Sequence, residues 1–157
     1  RSAGPSRVTS GDMGSKRPTD PHTSDPPVSS ARSALMSRVK GKDTTPELRF
    51  RREAHRQGRR FRIHDRSLPG SPDVVFPARR LAVFVHGCFW HRHSGCRRCT
   101  TPKTRIDFWN AKFDANVARD ARKTAELERL GWTVAVVWEC ETTDADRLTD
   151  LVSELLP

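Results

Sequence analysis

Apolar residues form unbroken runs in some parts of the chain and recur at helical spacing in others. Leu81–Val85 and Trp132–Trp138 are nearly continuous apolar runs rich in valine, and Phe61–Ile63 and Asp73–Phe76 are shorter ones. Such runs are typical of strands, and the Pro69–Pro72 segment before Asp73 is typical of a turn. Because Trp132–Trp138 has almost no polar face, we expect its strand to be covered on both sides.

Apolar residues recur at helical spacing over residues 104–130. We therefore predict a helix there, formed in two pieces and ending at Gly131. Its apolar positions are Ile106, Trp109, Phe113, Val117, Ala121, Leu127 and Leu130. Asp144 or Asp146 is a suitable cap for a last helix. That helix would use Leu148, Leu151, Val152 and Leu155 as its apolar face.

Two further helices are predicted before the first strand. Thr45-Pro46-Glu47 offers a capping hydroxyl, a proline at the first helical position and an acid in the first turn, and Gly58 would end this helix. Ser33 would cap a short helix that carries Met36 and ends near Gly41. The predicted order, α-α-β-β-β-α-β-α, gives an α/β sandwich around a small mixed sheet.

The chain of 157 residues suits one domain with one core. Its first thirty residues hold five of the eleven prolines, with many Ser, Thr and Gly and little apolar surface. We therefore predict a disordered tail over residues 1–32 and a single domain over residues 33–157.

Positive charge is concentrated in the middle of the chain. The formal net charge is +10, and residues 35–132 hold 23 Lys/Arg against 10 Asp/Glu. Such a segment favours a polyanionic partner over a merely soluble arginine-rich surface. We find no run long enough to span a membrane and no signal-peptide core, so we expect a cytoplasmic protein.

The run His86–Cys96 follows directly on an apolar strand and is the densest source of chemistry. It contains three imidazoles, two thiols and the aromatic pair Phe89 and Trp90. Strand ends are where α/β folds place their sites, so we predict metal chemistry beside aromatic insertion. The cysteines all lie at or after this run, which favours metal ligation over disulfides. Cys96 and Cys99 alone have the spacing of a zinc knuckle.

Pro72-Asp73 begins a strand, as the Pro-Asp of many metal-dependent nucleases does. In those enzymes an acidic-x-Lys on the adjacent strand completes a site in which carboxylates hold Mg²⁺ against a phosphate. The next strand here, Leu81–Val85, has neither an acid nor a lysine. By spacing alone, Asp73 is therefore a weak signal.

Several longer motifs closely resemble the very-short-patch repair DNA mismatch endonucleases. They are Pro69-Gly70-Ser71-Pro72-Asp73, His86-Gly87-Cys88-Phe89-Trp90-His91, Phe108-Trp109, Asn116-Val117-Ala118-Arg119-Asp120, Gly131-Trp132 and Val137-Trp138-Glu139-Cys140. The resemblance runs in consistent order from about residue 33 to residue 141. It implies a restriction-endonuclease-like three-layer sandwich that nicks one strand of duplex DNA at a T·G mismatch, the product of 5-methylcytosine deamination.

The resemblance also implies catalytic roles. Asp73 would be the central Mg²⁺ ligand together with the backbone carbonyl of Val85, and Glu47 would hold metal-bound water. His86 would lie against the scissile phosphate. His91, oriented by Asp120, would act as general base, which suits imidazole because it titrates near neutrality.

Simpler roles remain open for two of these residues. Glu47 is also an ordinary first-turn acid that complements the helix dipole. Asp120 could equally pair with Arg119 or Arg122 on a solvated helix face. These two assignments therefore rest on the resemblance more than on the residues themselves.

A structural Zn²⁺ is implied as well, held by Cys88, His93, Cys96 and Cys140. Closed sites of cysteine and histidine are typical of structural zinc. Spacing would instead pair Cys96 with Cys99, which the family does not use as a ligand. We favour the four ligands implied by the family resemblance and keep Cys99 as a substitute ligand.

The aromatic residues Phe89, Trp90 and Trp109 would wedge into the base stack beside the mismatch, with Met36 reaching the opposite groove. Unstacking costs least at a mispair, so the wedge itself would help to select the substrate. The alternative for these rings is core packing, which we expect for Trp132 and Trp138.

The sequence thus predicts a zinc-stabilised, Mg²⁺-dependent mismatch endonuclease that acts as a monomer on double-stranded DNA. Mismatch-repair and DNA polymerase proteins are further candidate partners. Two alternatives are a restriction-like nuclease without mismatch preference and a zinc-bearing DNA-binding module that has lost catalysis. The presence of Asp73, His86 and His91 together argues against the second.

Overall fold

The structure is a computed structural model that describes residues 41–157. The tail predicted for residues 1–32, the helix predicted from Ser33 and the side chain of Met36 lie outside the described residues. The domain boundary at residue 33 therefore stays a prediction.

The described elements follow the predicted order. They are α1 (Thr45–Arg56), β1 (Arg62–Ile63), β2 (Val74–Phe76), β3 (Leu81–His86), α2 (Ile106–Arg129), β4 (Thr133–Trp138) and α3 (Ala145–Leu155), with 3₁₀ turns at Pro77–Arg79 and Glu139–Thr142. None of the helices within residues 41–157 is both long and apolar enough to cross a membrane.

The four strands form one mixed sheet in the order β1-β2-β3-β4. The first three are antiparallel neighbours, whereas β3 and β4 are parallel and are joined through α2. In the parallel pair, Leu81 lies opposite Thr133 and His86 lies opposite Trp138. The carboxyl ends of β3 and β4 therefore meet at the same edge of the sheet, as the small mixed sheet predicted from the sequence requires.

Buried side chains lie on both faces of this sheet, which gives the predicted three layers. The larger cluster joins the sheet to α1 and α3 and contains Phe50, Ala54, Val74, Phe76, Leu81, Val83, Val137, Leu148, Leu151, Val152 and Leu156. The smaller cluster joins the other face to α2 through Ala82, Phe84 and Leu127. Trp132 packs at its edge, as predicted.

The structure corrects three expectations about the helices and strands. The helix predicted in two pieces is one continuous helix of 24 residues, because the residues between its apolar positions are mostly good helix formers. Phe113 and Leu127 are its buried residues, while Val117 is 46% exposed. The apolar stripe is thus only partly used for packing.

The strand expected to be covered on both sides is instead the edge strand β4. Val137 is fully buried against α3, but Val136 is 38% exposed and Thr133 is exposed. The helix α2 covers Trp132 and Val134 through the smaller cluster and leaves Val136 uncovered. A continuous apolar run was therefore insufficient evidence for two covered faces.

The start of α1 is shifted by one residue from the prediction. Thr44 occupies the capping position, so Thr45 is the first helical residue and Pro46 the second. The Thr44 hydroxyl donates to Glu47 Oε1 at 2.8 Å, and the Thr44 N–H donates to the same oxygen at 3.4 Å. These contacts turn the Glu47 carboxylate back toward the start of the helix.

Candidate active site and metal centre

A cleft of about 600 Å³ opens beside the carboxyl end of β3. It is bounded by the start of α1, by the start of β2, by the carboxyl end of β3 and by one face of α2. All six residues predicted for catalysis or magnesium binding line it: Glu47, Asp73, Val85, His86, His91 and Asp120. The fold thus brings together residues that are up to 73 positions apart in the chain.

Asp73 lies just before β2 and is tied to the end of β3. The Val85 N–H donates to Asp73 Oδ2 at 2.8 Å. Burial raises the pKa of Asp73, the negative charge of Glu47 acts in the same direction, and the hydrogen bond from Val85 opposes both. Two carboxylates whose negative charges repel each other in a half-buried cleft are suited to lie beside a shared cation.

Glu47 is only 3% exposed, unlike an acid that merely complements a helix dipole at the surface. Its Oε2 accepts hydrogen bonds from Arg51 Nη2 at 2.6 Å and from the Asp43 N–H at 3.0 Å. These contacts hold the carboxylate in one orientation at the cleft.

Arg51 connects Glu47 with two other residues that the sequence analysis did not single out. Its Nη1 lies 2.5 Å from Asp43 Oδ1, and its Nη2 lies 3.1 Å from His64 Nε2. Asp43, Glu47 and His64 place ligand atoms within 4.8 Å of one another, but the guanidinium lies among them. We interpret this group as an ion-pair network. The four-residue spacing of Glu47 and Arg51 was a signal for it.

The rings of His86 and His91 stack with their centroids 3.8 Å apart. His91 Nδ1 lies 2.5 Å from Asp120 Oδ2, whereas Arg119 Nε is 3.9 Å from the other oxygen of that carboxylate. The closer partner of Asp120 is therefore the imidazole. This contact engages Nδ1 of His91 and leaves Nε2 for the cleft.

His86 is 8% exposed. Burial, followed by the neighbouring His91, lowers the pKa of His86 to about 4, and the positive charge of Lys123 acts in the same direction. This imidazole is therefore neutral near pH 7.

A second cluster lies on the far side of the same loop. Cys88, His93, Cys96 and Cys140 place their ligand atoms within 4.8 Å of one another. The Cys88 and Cys140 sulfurs are 3.6 Å and 3.4 Å from His93 Nδ1. Tetrahedral zinc with ordinary bond lengths separates a nitrogen from a sulfur ligand by about 3.6 Å, so the cluster has dimensions that fit a metal ion.

Cys99 is not a member of this cluster. The ligands come from the loop after β3 and from the 3₁₀ turn after β4, because the two parallel strands end side by side. Trp138 stacks on the His93 ring at 4.2 Å, so it packs within the protein as predicted.

The predicted wedge residues lie together next to the cleft. Phe89 is 5.0 Å from Trp90 and 5.7 Å from Trp109, measured between ring centroids. All three are half-buried, and Phe113 beneath Phe89 is buried. Lys112, a residue that the sequence analysis did not name, holds its Nζ 5.4 Å from the centre of the Trp90 ring. The cluster thus combines aromatic surface with positive charge.

One face of α2 supplies two further residues to which the sequence analysis gave no role. Asn116 Nδ2 donates to the Trp90 carbonyl at 3.1 Å, and Lys123 lines the cleft. Asn116, Asp120 and Lys123 are separated by four and three residues, which puts them on one helix face. This spacing was the available signal.

Comparison with known proteins gives consistent matches over the described fold. The family model for the DNA mismatch endonuclease Vsr matches residues 24–98. The chain is 52% identical to the type II nicking enzyme V.XorIIP of Xanthomonas oryzae pv. oryzae, over 80% of this chain and 91% of that protein.

Two other relatives are similar over comparable lengths. The DNA mismatch endonuclease Vsr of Escherichia coli is 44% identical over 76% of each chain. The type II nicking enzyme V.NmeAIP of Neisseria meningitidis is 40% identical over 82% of this chain and 94% of that protein. The chain therefore belongs to the Vsr family of DNA endonucleases and has the restriction-endonuclease-like fold of that family.

Proposed function

We propose that this endonuclease nicks one strand of duplex DNA at T·G mismatches that arise by deamination of 5-methylcytosine, and thereby initiates very-short-patch repair. The observation that carries the proposal is the convergence of Asp73, His86 and His91 in one cleft directly beside the aromatic cluster. A relative of this chain is named as a mismatch endonuclease.

Asp73 and the Val85 carbonyl are the oxygen donors that would hold Mg²⁺ in this cleft, and Glu47 would hold metal-bound water. The ion would stabilise negative charge on the scissile phosphate. The oxygen donors, and the repulsion between the Asp73 and Glu47 carboxylates, support this assignment.

His91 would take the proton of the attacking water at Nε2, because Asp120 engages its Nδ1 and holds the ring in place. His86, neutral and stacked on His91, would lie against the phosphate. The two imidazoles would together replace the acidic-x-Lys that β3 lacks.

Phe89, Trp90 and Trp109, with Met36 from the opposite groove, would enter the base stack. The energetic basis is the unstacking cost of a few kcal/mol, which is smaller at a mispair than at a matched pair. Lys and Arg contacts to phosphates would be the same in mismatched and in matched duplexes.

Cys88, His93, Cys96 and Cys140 would hold a structural Zn²⁺. Nitrogen and sulfur donors that close a four-coordinate site favour zinc over magnesium. The ion would fix the loop that carries Phe89, Trp90 and His91 to the end of β4.

A second candidate function is nicking without a preference for the mismatch, since two of the relatives above are named as type II nicking enzymes. We also infer action as a monomer in the bacterial cytoplasm on chromosomal DNA, with mismatch-repair and DNA polymerase proteins completing the repair.

Asp73→Ala should abolish nicking while DNA binding stays largely intact. The substitution removes the central carboxylate of the Mg²⁺ site but leaves the basic surface. Nicking of a labelled T·G duplex in Mg²⁺ and binding in EDTA test this. Asp150→Ala, at an exposed position on α3, is the matched control and should behave as the parent. Nicking by Asp73→Ala near the parent rate would remove Asp73 from the mechanism.

His91→Ala should nick slowly and lose its dependence on pH near neutrality. With a pKa of about 4, His86 stays neutral above pH 5, so it gives no inflection there. A general base acts only in its deprotonated form, so the parent rate should rise with pH, and His86→Gln should keep that rise at a lower rate. Single-turnover rates from pH 5.5 to 8.5 are the measurement. If the inflection instead disappears in His86→Gln and stays in His91→Ala, the two roles are reversed.

The purified protein should contain one zinc ion per chain, and Cys88→Ser or Cys140→Ser should lose it together with cooperative unfolding. A structural site contributes its binding free energy to folding, so a broken site destabilises the domain. Cys99→Ser is the control and should retain both. Elemental analysis and thermal unfolding report the result. Zinc loss in Cys99→Ser with retention in Cys140→Ser would establish a Cys96–Cys99 knuckle instead.

Phe89→Ala should lower the preference for T·G over T·A duplexes more than it lowers non-specific binding at low salt. The wedge gains from the weaker stacking at the mispair, whereas phosphate contacts do not. Nicking and binding of paired duplexes across a salt series measure both. Equal cutting of the two duplexes by the parent would leave the second candidate function. A parent preference that survives in Phe89→Ala would exclude only the wedge.

A further inference from the structure

Hydrolysis of a phosphodiester adds negative charge to the scissile phosphate in the transition state. A cation placed at that point accelerates the reaction more than a cation elsewhere on the binding surface. In the nuclease pattern described above a strand lysine lies there, and β3 has none. The cleft itself contains three basic side chains, Lys42, Arg119 and Lys123.

These three cations differ in their surroundings. Lys42 and Arg119 are exposed, and Arg119 faces the Asp120 carboxylate at 3.9 Å. Lys123 is half-buried in the cleft. Within residues 41–157 no carboxylate forms an ion pair with it. A half-buried lysine that is not engaged in an ion pair remains available to attract an anion that enters the cleft.

The stem of Lys123 lies against the turn that leads into Asp73. A β-carbon added at Gly70 would lie 2.7 Å from Lys123 Cδ, so the glycine provides the space that the lysine occupies. Gly70 also has φ +77°, a conformation that other residues rarely adopt. The Lys123 side chain is thus held between its own helix, α2, and the turn before β2. It lies on the helix face that also carries Asp120, and its charge acts on His86.

We propose that Lys123 binds a non-bridging oxygen of the scissile phosphate and is a further catalytic residue of this cleft. It would add, from α2, a positive charge beside the two imidazoles that stand in place of the acidic-x-Lys. This inference rests on the proposed nicking function, because it requires a phosphodiester beside Asp73 and His91.

The test compares Lys123→Met, which keeps most of the stem and removes the charge, with Lys123→Arg, which keeps the charge. Arg122→Met is the matched control, since Arg122 is exposed on the same helix and does not line the cleft. Two quantities are measured on a T·G duplex: the single-turnover nicking rate in Mg²⁺, and binding in EDTA across a salt series. Thermal unfolding verifies that each variant is folded.

Lys123→Met should lower the nicking rate by about 100-fold, as loss of a transition-state contact does. Its binding should lose about one unit from the slope of log K against log salt, the change expected for one phosphate contact. Lys123→Arg should stay within about 10-fold of the parent rate, and Arg122→Met should change neither quantity.

The proposal is overturned if Lys123→Met nicks as fast as Arg122→Met, or if Lys123→Arg is as slow as Lys123→Met. An unchanged salt slope in Lys123→Met overturns it as well. Should the parent fail to nick the duplex while Lys123→Met still loses one phosphate contact, the proposed function fails and the contact of Lys123 with phosphate stands.

Discussion

The parallel pairing of β3 with β4 positions both candidate sites of this protein, the cleft and the cysteine cluster. Because His86 lies opposite Trp138, the loop after β3 and the turn after β4 leave the sheet at the same point. Cys140 can then meet Cys88, His93 and Cys96, although it lies more than forty positions later in the chain. A shift of the register by one residue would move His86 to the other face of the sheet and separate the cysteines.

This pairing also explains why one loop serves three tasks. Between its two ends at the cysteine cluster, the loop carries the aromatic pair Phe89 and Trp90 and the imidazole of His91. Neighbouring residues thus contact the base stack and the scissile phosphate in the proposed complex. A zinc ion that cross-links this short segment would limit the motion between substrate selection and cleavage, which would favour a precise geometry for the proposed reaction.

Local pattern was sufficient for the element order and for the mixed sheet, because long apolar runs and helix spacing are local properties. It was insufficient for β4, since burial depends on what α2 leaves uncovered, and Val136 is exposed there. Most residues of the cleft were predicted because they lie at strand ends or belong to long motifs, and Glu47 was predicted from the family resemblance. Arg51 and Lys123 were missed because their neighbours, His64 for the one and Gly70 for the other, are brought close only by the tertiary structure.

In its contact with the Asp73 carboxylate, Val85 contributes only its main-chain N–H. Any residue that a β-strand accepts at position 85 offers the same N–H and the same carbonyl. A mutational scan would therefore score this position as an ordinary tolerant core site, although its backbone borders the proposed centre of the reaction. For this protein, tolerance to side-chain replacement at a position does not show that the position lies far from the proposed reaction centre. Substitutions at such a position can accumulate while the activity is kept.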